Sequence, residues 1–193
     1  MRYSAEHKQE THARILNAAG RLFRREGYGG LGIDGLTQAA GVTNGAFYGH
    51  FKSKSEAFQA AVSAGFDELR LGINALKESA GKNWLAAFIG FYLGPKRTCE
   101  LGQSCVLPSL SAEVVRADRQ TRAAYEAELR RIIDAVASGL PDGPIAERED
   151  DAIALLALLS GGATLARAAP DAAFSERIAQ AVRRRALAMT GGG

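Results

Sequence analysis

The sequence predicts an all-α protein, with a small N-terminal three-helix head built around a helix-turn-helix and a larger helical body behind it. Three observations predict this. Ile15, Leu16, Ala19, Leu22 and Phe23 form an i, i+1, i+4, i+7, i+8 stripe, the period of a helix with one buried face. The segment Gly32 to Lys54, GIDGLTQAAGVTNGAFYGHFKSK, reads as two short helices around a tight corner. No stretch alternates with period two, so no strand is expected.

The stripe places the first helix at Thr11–Glu26, with Arg21, Arg24 and Arg25 near an end where cations complement the helix dipole. Gly27-Tyr28-Gly29-Gly30-Leu31-Gly32 matches G-x-G-x-x-G, but that dinucleotide fingerprint must follow a strand and open a helix. Here a charged amphipathic helix precedes it, so the glycines read as a loop. The second helix spans Ile33–Ala40, with Ile33, Leu36, Ala39 and Ala40 apolar. At the corner, Gly41 takes positive φ, Val42 plugs the angle and Thr43 caps the next helix. That third helix, Asn44–Phe51, turns Phe47 and Phe51 inward together, four residues apart. Its other face carries only Gly45, Ala46 and Gly49, so its backbone can lie against another surface. Tyr48 and His50 flank that bare face, and Lys52 and Lys54 come just after it. Such a helix suits a major groove: Thr43 and Asn44 nearest base edges, Gly45 on the bare face against the DNA, and Tyr48, His50, Lys52 and Lys54 mainly on phosphates. The plainer reading is a surface helical hairpin.

This stretch resembles the N-terminal DNA-binding domain of the tetracycline-repressor (TetR) family. The matching residues are Ala39-Ala40-Gly41-Val42, Gly45-Ala46-Phe47-Tyr48 and His50-Phe51-Lys52-Ser53-Lys54. With the upstream helix the resemblance covers about Gln9 to Phe66; beyond it only the all-helical pattern matches. Asn44 stands where the family often has a cation, and Gly49 where a larger side chain is frequent. The resemblance implies a repressor that leaves operator DNA when a small effector binds the body.

The charge agrees with a nucleic-acid partner. Residues 1–56 hold 8 Lys/Arg and 5 Asp/Glu, or +3, while 57–193 hold 16 of each, so the whole net charge of +3 sits on the head. Two cysteines make no disulfide framework in 193 residues. The start MRYSAEHKQE has no apolar run, which argues against a signal peptide, and Ala152–Ala166 is short for a bilayer. A soluble cytoplasmic protein with no membrane partner is expected.

Ser53 caps a long helix, Lys54–Glu78, with Phe58, Val62, Phe66, Leu69, Ile73 and Leu76 on one face. In a TetR-like protein this helix joins the two parts. Asn83–Leu93 is strongly apolar, and Trp84, Phe88, Phe91 and Tyr92, with Cys105 and Tyr125, are the candidate effector pocket. Lys96–Pro108 is the least regular region; a helical stretch then runs from Leu110 to Gly139. Pro141-Asp142-Gly143-Pro144 is a loop. The helices Ile145–Ala169 and Phe174–Met189 are expected to make the four-helix interface of a homodimer through Leu158, Gly161, Gly162, Leu165, Ile178 and Val182. Phe174, Ile178, Ala181, Val182 and Leu187 are read as inward. The divisions are thus an arm at 1–10, the helix-turn-helix domain at 11–53, the linking helix at 54–78, the effector and dimerisation domain at 79–189, and a tail at 190–193.

No catalytic constellation is present, so no enzyme is expected. The three histidines, His7, His12 and His50, lack carboxylate or cysteine neighbours at ligand spacing, and Cys99-x5-Cys105 lacks the spacing of common zinc motifs. Neither a metal nor a cofactor is expected. The expected partners are double-stranded operator DNA, a second copy of the chain and a small-molecule effector; the alternative is a constitutive or architectural DNA-binding protein. The segment Gly102–Arg116 is loosely similar to one in the N-ethylmaleimide-responsive TetR repressors, which implies a reactive Cys105 with Cys99 as a resolving thiol. A thiol at a helix start is expected to have a lowered pKa; the other reading is a packed small hydrophobe.

Overall fold

The computed structural model describes residues 5–141 and 143–189, and among these every regular element is helical. α1 (Ala5–Glu26) begins well before Thr11. Residues 5–10 of the expected arm are therefore helix, made of good helix formers with Glu6 in the first turn. Residues 1–4 of that arm and the tail at 190–193 lie outside the described residues.

α2 (Ile33–Ala40) buries Leu36, Thr37 and Ala40, while Ala39, one of its apolar positions, is exposed. Gly41 closes the helix at φ 63° and ψ 40°, and the N–H groups of Gly41 and Val42 bond the carbonyls of Gln38 and Thr37. Thr43 Oγ1 accepts from the Ala46 N–H at 3.1 Å, opening α3 (Asn44–Tyr48). α3 stops three residues short of Phe51. Ser53 must be extended (φ −156°, ψ 166°) to cap the next helix, so the chain has to leave the helical path first. The Phe51 N–H still bonds the Phe47 carbonyl at 2.9 Å, which keeps the two rings on one side.

α4 (Lys54–Ala80) is capped by Ser53 Oγ, while the Glu56 carboxylate accepts from the Lys52 N–H at 2.6 Å. α4 is the spine: α1 packs on it from the head side, α5 (Trp84–Leu93), α7 (Val106–Val115) and α8 (Arg119–Ala137) from the body. The stretch expected to be irregular holds α6 (Pro95–Thr98) and a 3-10 turn at Leu101–Gln103, and α7 starts before Leu110. The expected helix from Leu110 to Gly139 is two helices. Asp118 breaks it by capping α8, its carboxylate accepting from the Thr121 N–H at 2.7 Å.

α9 (Ile145–Ala168) and α10 (Ala172–Met189) form an antiparallel pair over α5 and α8. α9 has 24 residues and a window of mean hydropathy 1.3, long and apolar enough by those measures to cross a membrane. It instead buries Ala152, Leu155, Leu156, Leu159 and Ala163 within the chain. α10 buries Ser175, Ala179 and Ala186; Phe174 and Ala181, expected inward, are exposed. The inward face is made of small side chains because α10 lies close against α9.

Phe47 is fully buried and Phe51 2% exposed, in an apolar core continuous with Phe23 and Phe58. Phe47→Ala is expected to cost about 3–5 kcal/mol, the scale for emptying a buried aromatic site. Urea denaturation checks this; an unchanged midpoint would place Phe47 outside the core.

Candidate nucleic-acid interface

The corner presents α3 at the tip of the head. Gly45, Tyr48 and Gly49 are exposed, and Tyr48 keeps 56% of its surface. Lys52 is exposed beside them. The bare Gly45–Gly49 face and Tyr48 thus stand outward as the spacing requires. Nothing lies within 4 Å of a Cβ at Gly49 except the Ala46 and Gly45 carbonyls of its own turn.

Three residues expected at DNA have other engagements. Asn44 donates through Nδ2 to Asp34 Oδ1 at 2.7 Å and accepts from Thr37 Oγ1 at 2.8 Å. Its amide therefore pins α3 to α2, and both ends are used. Lys54 Nζ stands 4.2 Å from the Tyr28 ring centre, a cation–π contact that draws it back across the glycine loop. Thr43 spends its hydroxyl oxygen as the cap of α3. His50 is half-buried, its ring 5.6 Å from His12, which stacks on Phe51. Burial, then the charges of His12 and Lys8, hold His50 below the ordinary histidine range. At neutral pH its ring is therefore uncharged.

Behind the head, a cavity of about 370 Å³ opens between α4, α5 and the start of α7. Phe88, Phe91, Tyr92 and Cys105 line it. Trp84 and Tyr125 do not. The Trp84 indole donates to the Gly139 carbonyl at 3.0 Å and closes the far end of α8, where a Cβ on Gly139 would sit 2.7 Å from the ring. Tyr125 shares a 2.6 Å hydrogen bond with Ser111 and sits edge-on to Phe66, beside a separate crevice. The unforeseen wall is α4: Gly65, Glu68, Leu69, Gly72, Ile73 and Leu76. Two glycines seven apart on one helical face, with Leu69 between them and Ile73 and Leu76 just beyond, are its signature in the sequence.

Cys105 stands at the start of α7 without a capping hydrogen bond from its side chain, and only 5% of it is exposed. Burial pushes its thiol up, outweighing the hydrogen bonds and the Lys96 and Arg24 charges that pull the other way. The lowered pKa expected of it is thus overturned: the thiol is held protonated. The hydroxyl of Tyr92 is buried without a hydrogen-bond partner at normal geometry, and burial pushes that phenol well up too. Cys99 is half-buried, with Arg167 Nη2 3.2 Å from its sulfur. Both cysteines are free.

Of the residues expected at a dimer interface, Gly162 and Val182 pack on each other within the chain: a Cβ on Gly162 would lie 2.7 Å from Val182 Cγ2. Gly161 has open space, Leu165 is 63% exposed, and Leu158 and Ile178 are half-buried.

Residues 15–61 match the family model of bacterial regulatory proteins of the tetR family. The head is similar to the conserved N-terminal segment of that family. It is 44% identical over 57 residues to the transcriptional regulator AcrR of Shigella flexneri, a match of 30% of this chain and 26% of AcrR. TtgR of Pseudomonas putida is 39% identical over 64 residues, 33% of this chain and 30% of TtgR. The chain thus spans less than a third of these two relatives. The transcriptional repressor NemR of Escherichia coli is 25% identical over 139 residues, 70% of each chain. The TetR-like fold extends through the body: reduced E. coli NemR superposes with a TM-score of 0.78 at 21% identity, covering 92% of this chain and 95% of that one. A TetR-family regulator from Agrobacterium tumefaciens gives 0.75 at 24% identity, covering 92% and 98%.

Asn44→Ala removes two hydrogen bonds within the TetR-type head. It is expected to lower stability by about 1 kcal/mol and to leave relative base preference unchanged, as read by denaturation and selection from random DNA. Lys52→Ala is expected to weaken all sequences alike and to lower the logarithmic salt slope of binding by about 1, as read by titration at several salt concentrations.

Proposed function

We propose that the chain is a ligand-responsive transcriptional repressor, acting as a homodimer in the cytoplasm and leaving its operator when an apolar effector fills the cavity behind the head. The observation that carries this reading is the double role of α4. One helix lines the cavity with Gly65, Leu69 and Ile73 and is joined by Arg24 of α1 to the head. A shape change in the cavity therefore has a path to α3. NemR, similar over 70% of its length, is named a repressor.

The dimer reading is supported by the outward faces of α9 and α10. Ala154, Ala157, Gly161, Leu165 and Ala168 are exposed at helical spacing, as are Phe174, Ala181 and Ala188 on α10. Contiguous apolar surface of this kind marks a protein contact. Two heads on a two-fold axis would read half-sites about one helical turn, ~34–36 Å, or a multiple of it apart. The division into a head at 11–53, a linking helix at 54–78 and a body at 79–189 belongs to this same reading.

Light scattering at micromolar concentration tests the dimer, and selection from random DNA tests the operator, with a dimer and a two-fold symmetric site expected. Leu165→Glu is expected to yield a folded monomer and to weaken operator binding by at least ~10-fold, because two half-sites no longer bind as one. A monomeric wild-type chain would sink the reading.

A further inference from the structure

The cavity between α4 and α5 borders a second hollow on its head side. Gly65, Glu68 and Lys96 also line this hollow of about 450 Å³ between α1 and α4, where the head meets the body. Arg21 and Arg24 of α1 line this outer hollow too. The inner part is walled by Leu69, Ile73, Leu76, Phe88 and Val106. Burial keeps the Tyr92 phenol and the Cys105 thiol neutral there, so the inner wall carries no charge.

The charges at the junction do not balance. Arg24 pairs with Glu68 at 3.1 Å and Arg21 with Glu100 at 3.4 Å. Lys96 is the third cation: its Nζ donates to the Gln103 carbonyl at 2.5 Å and, among the described residues, meets no carboxylate. Three cations thus face two carboxylates. Donors also outnumber acceptors. The Nε–H of Arg24 is buried with no acceptor, in a side chain only 7% exposed. A buried charged donor left unsatisfied is costly, so an acceptor reaching it gains more than it would at the open surface.

We propose that the effector is an organic anion with an apolar body, its body between α4 and α5 and its acidic group at the junction, held by Lys96 and Arg24. This rests on the reading of the cavity as the effector site and adds the chemical class. It also gives the signal a route. The acidic group competes with Glu68 for Arg24, and Arg24 is carried by α1 of the head. A cation is disfavoured, because Glu68 is already matched and Lys96 would repel it.

Three ten-carbon probes that differ only in the head group test this: decanoate, decanol and decylammonium, each titrated calorimetrically into the full chain below its aggregation concentration. Decanoate is expected to bind about tenfold more tightly than decanol, and decylammonium most weakly. Lys96→Met is expected to shrink the preference for decanoate over decanol several-fold, with an unchanged helical circular-dichroism spectrum and melting temperature showing that the variant is folded. Glu68→Gln is expected to tighten decanoate, since its competitor for Arg24 is gone. Equal binding of decanoate and decanol, tightest binding of decylammonium, or an unchanged decanoate preference in Lys96→Met would overturn the anion while leaving an effector site standing. If none of the three binds, the anion and the effector cavity both fail.

Discussion

A guanidinium needs acceptors wherever it leaves water, and Arg24 is the one buried charged residue among the described residues. Its Nη1 donates to the Gly102 carbonyl at 3.3 Å and its Nη2 to Glu68 at 3.1 Å. It reaches them only because position 65 has no side chain. A Cβ there would stand 2.7 Å from Arg24 Nη2 and 2.9 Å from Val106 Cβ. The head helix, the spine and the start of α7 therefore meet at one glycine, and the charge crossing it joins all three. Glu68 keeps 62% of its side chain in water, so the pair is screened and its net stabilisation is small. What the contact supplies is a definite register between head and body.

The head was readable in advance because its constraints are local. A positive-φ glycine, a threonine cap and two phenylalanines four apart act within a dozen residues, and each is found where the spacing put it. What the spacing could not show was competition for the same side chains. Asn44 has the chemistry to read a base, but Asp34 and Thr37 lie within its reach once α2 and α3 fold together. Lys54 has the chemistry to hold a phosphate, but the Tyr28 ring comes to it across the loop. Both partners are distant enough in sequence to leave no periodic mark.

The body was readable as helices and less so as a site. Aromatic residues of α5 pointed to a pocket, and Phe88, Phe91 and Tyr92 line one, yet Trp84 on the same helix faces Gly139 instead. A helix with apolar residues on every side does not disclose which of them meets a void. The break at Asp118 was missed because an aspartate inside a polar stretch reads as surface until its capping bond to Thr121 is seen. Cys105 shows a conflict of two rules: the start of a helix favours a thiolate, and burial opposes it. Burial wins because the thiol is shut in by α4 and α5, which no local pattern reveals.

The contact between Gly162 and Val182 has a consequence for who pairs with whom. Because α9 and α10 close on each other inside one chain, their hairpin owes its shape to residues turned away from the surface. The outward residues, Gly161, Leu165 and Ala181 among them, are free of that duty. In the proposed dimer, integrity of the hairpin and choice of mate would be written on opposite sides of the same two helices. Substitutions on the outer side would then redirect mating among related chains without unravelling any of them, so that similar chains could diverge while keeping their assemblies apart.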